Sequence, residues 1–541
     1  MGIRSALSLA AFMLVVMIPL LWGGTRSDAP VTDAASKIVI VTPHVAQIRF
    51  EFERGFARWL RATGRDPVSI DWRTPGGTSE IIKQLEAVYS AAIKSGAIAP
   101  DGSCPPGTVP VDLAFGGGSF DHGRLKAGVS VLLPAQDANP RDVKLSMSVP
   151  AGFSQQQLDE WFGENAIGAQ AVYDPEQHWI GTALSSFGIV YNRELYRDEL
   201  MIPEPTSFED LARPELAGWL ALADPRQSGS LTTTLDSILS SLGWDEGWKL
   251  LRAMGANTRY FTNASIKPPI DVSQGEAAAG LAIDFYGRGQ AQAIALPGQS
   301  PAEVRVAYVE PAGRVYVDAD PISLLRGGPR PELARLFIEF LLTPEGQAIW
   351  NYRARTDPAH AANPKAADGM PAGPERYELR RLPVRRMMYD PSGPFYAALI
   401  DQINPYTLAS NTKTAGWRSA IGLMMGAFSI DTADEQRAAW RALIRAERQA
   451  NLPQERLQQL RAEFFSFPPH TLSDGSTLDF TQANFKAIRD DWRKPGVQAR
   501  ARVEYTEYFR QTYERIRREL ERREPERELA TQPRRVTAGG S

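Results

Sequence analysis

Three times in this chain a short apolar segment runs into a turn of glycine, serine or threonine and then into residues of helical spacing. Residues 68–72 lead through Gly76, Gly77, Thr78 and Ser79 into Ile81, Ile82, Leu85, Tyr89 and Ile93. Residues 111–115 lead into Gly116, Gly117, Gly118 and Ser119. Residues 220–223 lead through Asp224, Pro225, Arg226, Gln227, Ser228, Gly229 and Ser230 into Leu231, Leu235, Ile238 and Leu242. Strand, turn and helix in that order leave unbonded backbone N–H groups at the helix start, where a ligand oxygen can take them. A serine-rich turn also serves as a plain helix cap, but the repetition favours an open α/β sheet with a crevice at the carboxyl ends of its strands. No turn ends in Gly-Lys-Ser/Thr, and none carries Gly-x-Gly-x-x-Gly after a strand. The turns therefore read as solute-binding rather than nucleotide-binding.

The N-terminus places Arg4 before an apolar run over residues 6–22, the pattern of a secretory signal or a signal anchor. The single cysteine, Cys104, lies far from that run, so no lipid-accepting cysteine follows it and no intrachain disulfide can form. A net charge of −3 over 541 residues, without a basic stripe, argues against nucleic acid as a partner. The length accommodates two or three domains. Short apolar segments alternate with amphipathic ones as far as residue 350, as in α/β folds. Residues 281–286 read as a strand. Helical spacing returns over 417–428, 435–448 and 479–520, and the arginine- and glutamate-rich stretch from 514 reads as a solvated helix face.

Six segments in series resemble a known family, the extracytoplasmic solute-binding proteins of ABC transporters, near the iron(III)-binding type. They are the first strand with His44; Gly188-Ile189-Val190-Tyr191-Asn192; Pro205-Thr206-Ser207-Phe208-Glu209-Asp210-Leu211; Asp224-Pro225 with Ser228-Gly229-Ser230; Gly275-Glu276-Ala277-Ala278-Ala279-Gly280-Leu281; and Phe337 through Gln347. The resemblance implies a two-lobe α/β fold, the type II periplasmic-binding-protein fold, closing on its solute by a hinge. It divides the chain into a signal or anchor (1–24), a linker (25–36), a first lobe (37–186), a second lobe (187–286) and a return to the first (287–356). A mainly α-helical C-terminal extension (357–541) exceeds the family core.

By the same resemblance the cleft is expected to hold His44, Thr78, Ser79, Gly117, Gly118, Ser119, Arg226, Ser228, Gly229, Ser230, Asp284 and Tyr286. Iron-binding relatives use a histidine, a glutamate and two adjacent tyrosines. Here the tyrosine pair is Phe285 and Tyr286, and no glutamate occupies residues 115–119. The expected ligand is thus a small polar or anionic solute, with no cofactor and no resident metal; iron(III), held by His44, Asp284 and Tyr286, is the alternative. The expected partners are permease subunits, with the N-terminus in or released from the membrane. A membrane-tethered sensor is a second alternative. A secreted hydrolase is the rival enzyme class, but neither a Gly-x-Ser-x-Gly elbow nor His-Glu-x-x-His is present, so the chain reads as a binding protein.

Overall fold

The computed structural model describes residues 36–133, 141–296, 299, 302–311, 314–450 and 452–522. The expected signal or anchor and nearly all of the linker lie outside the described residues. Among the described residues no helix is long and apolar enough to cross a membrane.

The first lobe opens with β1 (Lys37–Val41), α1 (Ala46–Ala62), β2 (Ser69–Arg73), α2 (Thr78–Lys94), β3 (Leu113–Phe115) and α3 (Ser119–Ala127). β1 reads Lys-Ile-Val-Ile-Val, a β-branched run buried on both faces. It pairs in parallel with β2 and with β3. A hairpin of β4 (Val129–Leu133) and β5 (Arg141–Leu145), a short β6 (Ser148–Val149) and α4 (Gln155–Phe162) complete this part.

β7 (Ile180–Asn192) then crosses to the second lobe; all thirteen of its residues are buried. The second lobe is built from β8 (Leu220–Ala223), α5 (Gly229–Leu242), α6 (Trp244–Asn257), β9 (Thr258–Thr262), α7 (Lys267–Gln274), β10 (Ala279–Ile283), α8 (Asp284–Ile294) and β11 (Val306–Val309). The chain returns through β12 (Val317–Leu325), followed by α9 (Pro331–Leu341) and α10 (Pro344–Asn351). The main sheet runs β2-β1-β3-β12-β7-β10-β8-β9. β7 pairs with β12 as far as Ser186 and with β10 from Phe187, so its partner changes between lobes at that step. β11 still pairs with the distal half of β7, so the chain rejoins the first lobe at β12.

This is a two-lobe α/β fold with a substantial helical C-terminal portion. Residues 382–383, β13, add to β7 beside the first lobe. A short α11 (Pro405–Leu408) precedes α12 (Arg418–Met425), α13 (Ala433–Gln449), α14 (Gln454–Phe465), α15 (Phe485–Trp492) and α16 (Val497–Glu521). The helix expected over 479–520 is broken at Lys494-Pro495-Gly496. Proline cannot donate to the helix ladder, and Gly496 takes φ +75°.

The apolar faces of α12–α16 do not form a separate core. Trp417, Met424, Trp440, Phe464, Tyr505 and Phe509 join one cluster with Leu231, Leu235 and Trp248 of the second lobe. Arg252 of α6 is fully buried at that junction, donating to the carbonyls of Phe464 (2.6 Å) and Ser466 (2.8 Å). Its guanidinium lies over Phe428, Phe467 and Phe509 at 4.3–4.8 Å. Such contacts offset part of the cost of burying the charge.

Candidate functional site

The three helix-opening turns meet between the lobes. Thr78 at the start of α2, Gly117 before α3 and Ser228, Gly229 and Ser230 at α5 line a cavity of about 410 Å³. His44, Tyr286 and the Asn263–Ile266 turn complete its wall. A recess of about 30 Å³ extends it past Gly118 and Ser230 to Ser185, Thr233, Asp121 and Asp318. Gly116 and Gly117 take φ +95° and +113°, and a Cβ at Gly116 would come within 2.5 Å of His44 Nε2. That corner of the cleft requires glycine.

Arg381 borders both cavities, although it comes from the C-terminal portion. Its guanidinium lies 4.4 Å from the centre of the Phe285 ring. It donates to Ser185 Oγ through Nε (3.1 Å) and Nη2 (2.6 Å) and forms an ion pair with Asp320. Burial pushes the Asp320 carboxyl up, but Arg381 and His44 outweigh it and hold it below the ordinary range. His44 Nε2 donates to Asp320 Oδ2 (2.9 Å), since an ionised carboxylate can only accept. This leaves Nδ1 as an acceptor, buried without a partner. Burial, assisted by Arg381, lowers the His44 pKa against the pull of Asp320.

The turns differ in what they leave open. Ser228 Oγ accepts from Leu231 N–H (3.1 Å) and is bonded to Ser265 Oγ (2.8 Å), so this hydroxyl caps α5. The N–H groups of Gly229 and Ser230, ahead of the capped one, have no intrahelical acceptor. At α3, Ser119 N–H is already taken by Asp318 Oδ2 (3.2 Å). At α2 the Glu80 carboxylate folds back, its Oε2 3.2 Å from where a Gly77 Cβ would stand. Burial raises both Asp121 and Asp318; Asp318, with Asp121 adding to it, is pushed up to about 6. Asp318 Oδ1 is buried without a partner at the recess.

Of the residues expected in the cleft, His44, Thr78, Gly117, Gly118, Ser228, Gly229, Ser230 and Tyr286 line one or both cavities. Ser79, the second residue of α2, and Ser119, the first of α3, line neither. Arg226 is turned away: it pairs with Asp224 (2.7 Å) and Asp431 (2.9 Å), tying the α5 turn to the C-terminal helices. Asp284 is also turned away. The strand expected over 281–286 ends at Ile283, and Asp284 opens α8 instead, with Oδ1 accepting from Phe285 N–H (2.8 Å) and Oδ2 facing Arg288 (3.2 Å). Of the trio proposed for iron, His44 and Tyr286 line the cavity and Asp284 does not, and burial pushes the Tyr286 phenol up to about 12. Among the described residues no group of three or more histidine, cysteine or carboxylate side chains is placed to hold a metal.

Arg381, Asp318, Asp320 and Asn263 were not among the expected residues. The signal for the two acids was present: Asp318 and Asp320 alternate within an apolar run, which puts two carboxylates on one face of a buried strand. Arg381 offered no comparable local sign, since only the pairing of β13 with β7 brings it to the cleft.

Residues 151–376 match the family profile described as bacterial extracellular solute-binding protein. The phosphoglycerate transport regulatory protein PgtC of Salmonella typhimurium is 24% identical over 272 residues, 49% of this chain. The match spans 66% of that relative, just under two thirds of its length. Among solved structures, iron-bound HitA from Pseudomonas aeruginosa is 15% identical, covers 72% of this chain and 99% of its own, and has a TM-score of 0.46. The fructose-6-phosphate-bound periplasmic binding protein AfuA from Actinobacillus pleuropneumoniae is 18% identical, with 58% and 82% coverage and a TM-score of 0.43. In the matched segment the chain resembles the bacterial extracellular solute-binding proteins, and its sheet order is that of a two-lobe α/β fold.

Proposed function

We propose that this chain is the extracytoplasmic solute-binding component of an ABC importer, and that it captures a small hydroxylated organic anion by closing two lobes around it. One observation carries the choice of ligand. The open N–H groups of α5 and the Arg381 guanidinium offer hydrogen-bond donors, while Asp318 Oδ1 and Asp121 at the recess offer acceptors. An anionic group suits the donors, with the dipole of α5 contributing up to about 1 kcal/mol. Ligand hydroxyls suit the acceptors. A hydroxylated carboxylate or phosphate ester carries both, and a relative named for phosphoglycerate transport is in keeping with that class. His44, Thr78, Gly117, Gly118, Ser228, Gly229, Ser230 and Tyr286 are proposed as cleft residues together with Arg381 and Asp318. Export or tethering by residues 1–24 and docking onto permease subunits belong to the same proposal.

The test is thermal unfolding with hydroxylated carboxylates, sugar phosphates, neutral sugars and Fe(III). A ligand that binds only the folded state adds roughly 2.7 kcal/mol at a hundredfold excess over its Kd. Stabilisation by hydroxylated anions, absent with their neutral counterparts, is the expected result. Stabilisation by neutral sugars alone would refute the anion assignment.

A further inference from the structure

The C-terminal portion touches the two lobes in different ways. As far as Ser410, whose N–H donates to the Val315 carbonyl (2.9 Å), it lies mainly along the first lobe, with Glu378 and Arg380 also bonded to Gln292 of α8 (2.7 Å each). Residues 411–416 are exposed and pass to the second lobe, where Ala415 N–H donates to Ser240 Oγ (2.9 Å) of α5. From there α12 is packed on α5 by Trp417, Ala420, Ile421 and Met424. The first turn of α12 carries Arg418. Its Nη1 donates to Thr233 Oγ1 (2.6 Å) and its Nη2 to the Gly229 carbonyl (3.1 Å), so α5 holds the side chain.

The outer face of that guanidinium meets the first lobe. It lies over the Phe120 ring of α3 at 4.3 Å, and Phe120 is half exposed. At Gly229 the lobes approach closely: an added Cβ would stand 3.3 Å from Asp121 Oδ2, 3.9 Å from Arg418 Nη2 and 4.0 Å from Thr78 Oγ1. Asp121 and Asp318, both on the first lobe, feel the Arg418 charge. If the second lobe swings away, Arg418 travels with α5 and leaves Phe120 and these two carboxylates behind.

We propose that the C-terminal helices provide a closure latch in which Arg418, anchored on α5, grips Phe120 and the Asp121–Asp318 pair of the first lobe when the cleft shuts. This rests on the reading of the chain as a hinged solute binder. Arg418 is then a positioning residue: it biases the open–closed equilibrium and shapes the N-terminal turn of α5 without touching the solute. A contact that forms only on closing slows solute escape more than it changes capture. The helices contribute this by carrying a cation to the lip of the cleft.

The test measures the distance between spin labels at Lys83→Cys on α2 and Lys249→Cys on α6, in the full chain with Cys104→Ser, with and without 3-phosphoglycerate. Arg418→Gln should shift the distribution toward longer distances in both conditions, and Phe120→Ala should do the same while sparing the bonds from Arg418 to α5. Where 3-phosphoglycerate binds, each variant should release it about threefold faster, as expected for a cation–π contact on a half-exposed ring. Unchanged distances in both variants would overturn the latch, whatever the solute does. Longer distances in Arg418→Gln with none in Phe120→Ala would also overturn it, reducing Arg418 to a brace for α5. Failure of 3-phosphoglycerate to bind the unsubstituted protein counts against the proposed ligand class only, because the distances without it still report the latch.

Discussion

The two walls of the cleft are built alike and charged differently. On the first lobe, strand ends and helix starts come with carboxylates: Glu80 folds over the start of α2, Asp318 holds the start of α3, and Asp121 stands beside it. On the second lobe, α5 is capped by the neutral hydroxyl of Ser228 and presents Gly229 and Ser230 with no acid in its first turn. The same strand–turn–helix unit thus yields an acceptor-rich wall on one side and a donor-rich wall on the other. A solute lying between them would be oriented, its anionic group toward α5 and Arg381 and its hydroxyls toward Asp318. A glycine turn at a helix start is consequently not an anion site by itself; what matters is whether the protein's own carboxylate already fills it.

The largest break in this asymmetry should come from Arg381→Met. It removes the cation of the floor and leaves Asp320 buried beside a neutral histidine, which should cost roughly 3–5 kcal/mol in urea unfolding. Affinity for a hydroxylated anion should drop about 10–100-fold, the worth of one charge-assisted hydrogen bond. Titration calorimetry at a temperature where the variant is folded separates the two effects. Unchanged affinity would move the anion away from the floor.

Asp318→Asn tests the acceptor wall. The folded pKa of Asp318, about 6, lies above the ordinary value near 4, so its favourable contribution is full below about pH 4 and is lost as pH rises through 6. The variant should therefore gain stability over the unsubstituted protein at pH 8, by up to about 3 kcal/mol, and little at pH 4. Solute affinity at pH 8 should fall at the same time, since the amide accepts less strongly. A gain in stability equal at both pH values would mean that the carboxyl is not held near 6.

The smallest effect is expected at Ser228. Ser228→Ala removes a helix cap and should lower stability by about 1 kcal/mol while changing affinity less than Ser230→Ala does. The opposite order of affinity losses would show that the Ser228 hydroxyl reaches the solute.

Much of this architecture was legible in the sequence because short β-branched runs and glycine turns are local signals. Residues 37–41, the turn at 116–119 and the α5 cap each declare themselves within about eight residues. What was not legible depended on partners far along the chain. Asp284 looks like a cleft residue near a strand end until the strand stops at Ile283 and Arg288, one helical turn on, takes the carboxylate. Arg226 looks like an anion clamp until Asp431, 205 residues away, closes on it. Arg381 and Arg418 lie in a region that the family resemblance does not cover, and each acquires its role only through packing.

The most direct measurement is chemical identification of what the purified protein carries: denature it, and analyse the released small molecule by mass spectrometry beside the visible spectrum of the folded protein. The account predicts a hydroxylated organic anion from the unsubstituted chain, a marked reduction from Arg381→Met, and no visible colour on loading with Fe(III). A coloured iron complex abolished by Tyr286→Phe, or a neutral solute released equally from both proteins, would contradict it.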